Sequence, residues 1–227
     1  MAETAPRAEL MRSLGRLVRG LSALFWGLPL SLVISVYVGT NEWARPIHML
    51  APVLLLGLLF YGVNLLSDFQ RQERVWRESL DRARVLALVN VGFAPFVYWY
   101  NRFPGEPLYR VAVLLLMLTG ILFLFNLNHV LQRLAAMLPD ETLRTETRVF
   151  GNLNISVLTA IIVLGAMFYL ARQFEHLPLY IRNLLFIMEV LRLWLFVFLV
   201  LLPIATTMTL IWKIKEVIFS SVFWAQE

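Results

Sequence analysis

Along the chain, six stretches hold almost nothing but apolar residues, with short polar segments between them: Leu21–Val38, Ile47–Leu66, Val85–Tyr100, Leu108–Phe125, Leu153–Leu170 and Leu191–Ile211. A run of about 17–25 apolar residues is long enough to cross a hydrocarbon core about 30 Å thick. Lipid offers no water to an unsatisfied N–H or C=O, so each run is expected to be a helix that satisfies its backbone within itself. A barrel strand would alternate polar and apolar positions, and these runs show no such alternation. The pattern predicts an all-α fold, a polytopic membrane helix bundle with six transmembrane helices over residues 21–211 and helical cytoplasmic extensions.

The polar segments are patterned as well. Residues 1–20 read as a basic amphipathic arm: Leu10, Leu14, Leu17 and Leu21 recur at helical spacing opposite Arg12, Arg16 and Arg19, which suits a helix lying at the membrane surface or, more simply, the ordinary cytoplasmic flank of the first span. The first apolar run then follows as a retained anchor, being longer than a secretory h-region and lacking a clear cleavage site. Residues 67–84 and 127–152 read as helical loops. In the first, Glu73–Arg77, Arg74–Glu78 and Glu78–Arg82 stand at i,i+4 spacing, each pair worth about 0.2–0.5 kcal/mol on an exposed helix. In the second, the helix of the fourth span continues to Pro139, and Pro139, Asp140 and Glu141 suit the first turn of a new one. Residues 212–227 form an amphipathic, aromatic tail suited to the membrane surface or the bundle. A faint repeat of two-span hairpins runs through the chain: Arg19 to Pro29 resembles Arg84 to Pro95, and a weaker third copy beginning at Arg148 aligns Asn154 with Asn90.

Composition strengthens the membrane reading. Apolar residues make up 59% of the 227 and charged residues 15%, against about 45–50% and about 25% in soluble domains. Mean hydropathy is +0.71. The basic residues set an orientation. Arg7, Arg12, Arg16, Arg19, Arg71, Arg74, Arg77, Arg82, Arg84, Arg133, Arg144, Arg148, Lys213 and Lys215 fall on one side; Arg45, Arg102, Arg110, Arg172, Arg182 and Arg192 fall on the other, 14 against 6 of the 20. The positive-inside rule then places both termini in the cytoplasm. Arginine outnumbers lysine by 18 to 2, compatible with a GC-rich bacterial genome and hence a bacterial cytoplasmic membrane. The excess positive charge is spread over loops and offset by nearby acids, so the expected partners are membrane lipids and not nucleic acid.

Candidate chemistry is sparse. Asn64, Asn90, Asn126, Asn128, Asn152 and Asn154 all fall near the cytoplasmic ends of spans two to five. Amides can tie helices together in a membrane, and if these six converge they form a polar pocket. Phe69, Trp76 and Leu80 share one helical face, a candidate docking face for a membrane or cytoplasmic protein partner. The spans hold almost no charge, which argues against a proton pump or an acid-ringed cation channel. Glu189 and Arg192 pair at the opposite surface. His48 and His176 lie on one side and His129 on the other, so no metal or haem site uses all three, and neither metal nor cofactor is expected. The chain contains no cysteine, and no nucleophile elbow, zinc-protease, phosphate-loop or dinucleotide motif is present. These features favour a non-catalytic scaffold or accessory subunit docking a partner through cytoplasmic helices, with homo-oligomers open. The alternative is a facilitative channel or transporter for a small neutral or anionic solute.

Overall fold

The computed structural model describes residues 4–41, 46–67, 69, 73–138, 140–171, 180 and 192–224. The chain forms α1 (Thr4–Thr40), a short 3-10 turn (Pro46–Met49), α2 (Leu50–Leu66), α3 (Arg74–Arg102), α4 (Pro107–Met137), α5 (Glu141–Ala171) and α6 (Arg192–Trp224). No strand occurs among the described residues. Each of these six α-helices contains a stretch long and apolar enough to cross a membrane, so the chain is an integral membrane protein built as a six-helix bundle.

Each helix packs on the next in sequence and α6 closes back on α1. Two further contacts cross the ring, α1 with α3 and α4 with α6, which groups the helices into two triangles, α1–α2–α3 and α4–α5–α6. The triangles meet along α3–α4 and α1–α6. Lys215 Nζ near the end of α6 donates to Ser22 Oγ of α1 at 2.9 Å, and Lys213 pairs with Glu146 of α5. At the opposite end Asn101 of α3 donates to the carbonyls of Val38, in the last turn of α1, and Asn41, just after it, at 3.0 and 2.6 Å. Consecutive helices therefore run up and down, and one end of the bundle gathers most of the described basic residues.

The helices are stitched by a seam of period 3.5. On α3 the buried positions are Trp76, Leu80, Ala83, Ala87, Asn90, Ala94 and Val97, alternating by four and three. α1 repeats the pattern with Leu17, Leu21, Leu24, Leu28 and Ser31. This is the spacing at which ridges of one helix seat in grooves of a nearly antiparallel neighbour. In hydrocarbon the seam gains nothing from the hydrophobic effect, since lipid is as apolar as leucine, so close contact has to hold it. Alanines at 83, 87 and 94 serve that end on α3. Between α1 and α2 the contact is closer still: a Cβ on Gly20 would lie 2.5 Å from Leu66 Cδ1 and 2.8 Å from the Gly62 carbonyl, and one on Gly62 would lie 3.1 Å from the Gly20 carbonyl.

Several boundaries differ from expectation. The basic arm is continuous with the first span, as a flank of it would be, and not a separate surface helix. α1 runs unbroken from Thr4 to Thr40 and buries Leu17 beside Leu21 and Leu24, because the leucine stripe of the arm is in phase with the seam of the first span. The 212–227 tail likewise continues α6 as far as Trp224, with Ile214 and Ile218 buried on the bundle. Of the 67–84 segment, the described helix begins at Arg74; α2 ends at Leu66, Ser67 turns, and Glu73 is extended. His176 and Glu189, with the expected Glu189–Arg192 pair, lie outside the residues whose side chains are described.

The glycine contact gives a direct stability test. Gly20→Ala must push two backbones apart and is expected to cost about 1–3 kcal/mol, seen as a lower unfolding temperature in detergent. Gly57→Ala faces open space and should leave the transition within error.

Candidate functional site

The six asparagines do not converge. Two ties hold three of them, and the other three stand singly at the basic half of the bundle. Asn128 and Asn154 are fully buried and meet between α4, α5 and α6. Asn154 Nδ2 lies 2.9 Å from Asn128 Oδ1, 2.8 Å from Thr207 Oγ1 and 3.2 Å from the Pro203 carbonyl. Asn128 Nδ2 donates to the Leu124 carbonyl at 2.8 Å and reaches Thr207 Oγ1 at 3.2 Å. Thr207 passes its own proton to the Pro203 carbonyl at 2.6 Å. The result is a closed knot. Thr207 accepts from two amides and donates once, and the one polar atom left over is Asn154 Oδ1, which is buried with no donor among the described residues.

Asn90 forms a second tie. It is buried on the α3 seam, and its side chain meets Thr119 Oγ1 of α4 at 2.6 Å, while Thr119 also reaches the Leu115 carbonyl at 2.8 Å. One hydroxyl proton cannot serve both acceptors. An amide turned so that Nδ2 faces Thr119 satisfies both, because amide orientation is assigned from such networks. Asn90 and Asn154, aligned in the faint repeat, thus play matching parts: each reaches a threonine on the following helix of its own hairpin. The equivalent position in the first hairpin is Phe25, so that copy lacks the tie.

The remaining asparagines stand apart. Asn64 is half-buried at the end of α2, where its carbonyl accepts from Ser67 Oγ at 2.6 Å. Asn152 is exposed on α5. Asn126 bonds the Leu122 carbonyl at 2.8 Å and borders a groove of about 730 Å³ between α3 and α4. Arg74, Arg77, Glu78, Asp81 and Arg82 line the same groove, which is therefore wet, open and of mixed charge.

The face expected to dock a partner is occupied by the chain itself. Trp76 is 1% exposed, with Leu80 and Phe69 also buried. Trp76 Nε1 donates to the Phe69 carbonyl at 3.0 Å, and the two rings meet edge to face at 6.4 Å. Beyond the lipid, where water drives apolar burial, these side chains join Leu131, Leu134, Leu138 and Leu143 in one core with the spans. The amphipathic stripe was real, but its partner is internal.

Asp140 caps α5, accepting from the Thr142 amide at 2.9 Å, the Thr142 hydroxyl at 2.6 Å and the Leu143 amide at 3.1 Å. Those bonds, the Thr142 hydroxyl foremost, hold its carboxyl below the usual carboxylate range. No group of three His, Cys, Asp or Glu able to hold a metal ion occurs among the described residues.

The sequence located the asparagines but not their threonines. Thr119 and Thr207 were legible only as polar residues in two spans; which amide each meets depends on helix rotation. A double-mutant cycle on Asn154→Leu and Thr207→Val should return a coupling of about 0.6–1.7 kcal/mol, while Asn152→Leu should leave stability unchanged. The depressed Asp140 carboxyl means its cap contributes fully above the ordinary carboxylate range and is lost as pH falls through the lowered value. Hydrogen exchange at the Thr142 and Leu143 amides should rise over that acidic window, and in Asp140→Ala it should be raised at neutral pH as well. No protein-family model matches this chain, and no curated protein or solved structure does either.

Proposed function

We propose that the protein is a non-catalytic membrane scaffold or accessory subunit that holds a partner at the end which the arginine count assigns to the cytoplasm. The observation that carries this is the length of α3, α4 and α5, each an unbroken helix longer than a span requires. α3 has 29 residues and α4 and α5 have 31 each, about 43–46 Å of helix against a hydrocarbon core of about 30 Å. The surplus forms short stems continuous with the spans, locked by the buried Trp76 and Leu80. A rigid stem presents a fixed array of side chains, so little ordering entropy is lost when a partner binds. With the apolar stripe turned inward, the surface left for a partner is the charged groove of α3 carrying Arg74, Arg77, Glu78, Asp81 and Arg82. Its mixed signs suit register and selectivity more than bulk affinity.

The polar residues within the bundle favour this reading over a solute path. A path needs amides around a wet cavity, whereas Asn128, Asn154 and Thr207 spend their donors on one another and on helix carbonyls. The test is purification from native membranes with mass spectrometry of what co-purifies, comparing wild type with a Glu78→Lys, Asp81→Lys variant. One defined protein, retained by the wild type and reduced at least ten-fold by the variant, is the expected result. Passive solute flux through liposomes containing the purified protein alone would overturn the scaffold in favour of a transporter.

A further inference from the structure

A second groove, of about 440 Å³, opens where the end of α4, the start of α5 and the start of α3 come together. Unlike the mixed-charge groove beside it, it is lined by three arginines, Arg133, Arg144 and Arg148, together with His129, Gln132 and Ser79, and by no carboxylate. Among the described residues no acid pairs with any of the three, whereas Arg82, Arg84 and Lys213 pair with Glu78, Asp81 and Glu146. Arg144 is oriented by a bond to the Ala136 carbonyl at 3.0 Å, which caps the end of α4 and leaves the rest of its guanidinium free to face the groove. Gln132 lines the groove where α4 packs on α5. Its Nε2 is buried and unpartnered among the described residues, in a place that exists because residue 151 is glycine: a Cβ there would lie 1.8 Å from that nitrogen.

Depth narrows the occupant. His129 follows the fourth apolar run by about four residues and Arg148 precedes the fifth by about five, roughly 6–8 Å along a helix. That is the band between hydrocarbon and water, about 5–8 Å deep on each side of a bilayer. Arg133 starts a turn further out, about 12 Å past the run, on a helix whose side chains tilt back toward the membrane. Guanidinium forks match phosphate oxygens two at a time, and basic pockets between helices at this level suit lipid headgroups. The apolar Val75 and Ala136 in the lining favour a ligand that also brings hydrocarbon. We propose that this groove binds the phosphate of an anionic phospholipid, with Arg133 and Arg148 as the principal contacts. The site is independent of the scaffold reading: a lipid here would pin the α4–α5 turn whatever the stems hold.

The test uses the full chain, delipidated in a neutral detergent, with dioleoyl phosphatidylglycerol and dioleoyl phosphatidylcholine as probes and native mass spectrometry as readout. The wild type should retain the anionic lipid at least ten-fold better than the zwitterionic one. Arg133→Gln alone should weaken that binding roughly five-fold, and Arg133→Gln with Arg148→Gln roughly thirty-fold. Both arginines are exposed, so the unfolding temperature of the lipid-free variants should match wild type. Arg82→Gln, in the neighbouring groove, should leave lipid retention unchanged. Equal retention of the two lipids, no loss in the double variant, or an equal loss in Arg82→Gln would overturn the site. Displacement of phosphatidylglycerol by millimolar inorganic phosphate would assign the groove to a free phosphate and overturn the lipid.

Discussion

Hydrocarbon gives a peptide group no hydrogen bond, and every other feature of this protein follows from that. The spans have to be helices because their backbones must be satisfied locally. Once helical, they cannot be drawn together by apolar burial, since the alternative to a leucine in the bundle is a leucine in lipid. What remains is contact. Gly20 and Gly62 let α1 and α2 approach until each carbonyl lies about 3 Å from where the other residue's Cβ would stand. The buried alanines of α3 do the same more gently on its seam. The outer face of α4, with Leu114, Met117, Leu118 and Leu122 exposed, is left to lipid.

The same scarcity of partners explains why the polar residues come in closed sets. An asparagine in the interior is tolerated where another helix returns its bonds. Asn128, Asn154 and Thr207 do this for α4, α5 and α6, and Asn90 with Thr119 does it for α3 and α4. Each tie is modest in energy but exact in register, because sliding a helix by one residue would break several bonds at once. The ties also hold one triangle together and join it to the other, through the α3–α4 contact.

At the basic end the rules change, because water returns. Trp76, Leu80, Leu134 and Leu143 are buried there by the ordinary hydrophobic effect, which fixes the stems without a second protein. Two grooves result, of similar position and opposite character. One mixes acids with arginines; the other is lined by arginines without any acid. The difference comes from which face each stem turns outward, and it separates a surface suited to a protein from one suited to a phosphate.

Much of this was legible from residue order alone. Six apolar runs, their helical nature and the uneven spread of arginine are local or additive properties, and they need no knowledge of neighbours. The continuation of α4 through His129 and the start of α5 at Asp140 were equally plain, being set by adjacent residues. What residue order left open was rotation and pairing. Phe69, Trp76 and Leu80 announced an apolar face but not its occupant, and only the packed helices show it turned inward. Asn128 meets Thr207 across 79 residues and Asn154 across 53, while Asn152, two positions away, faces outward. Helical periodicity says which residues share a face; it says nothing of which face another helix will cover, because that choice is made by all six helices packing together.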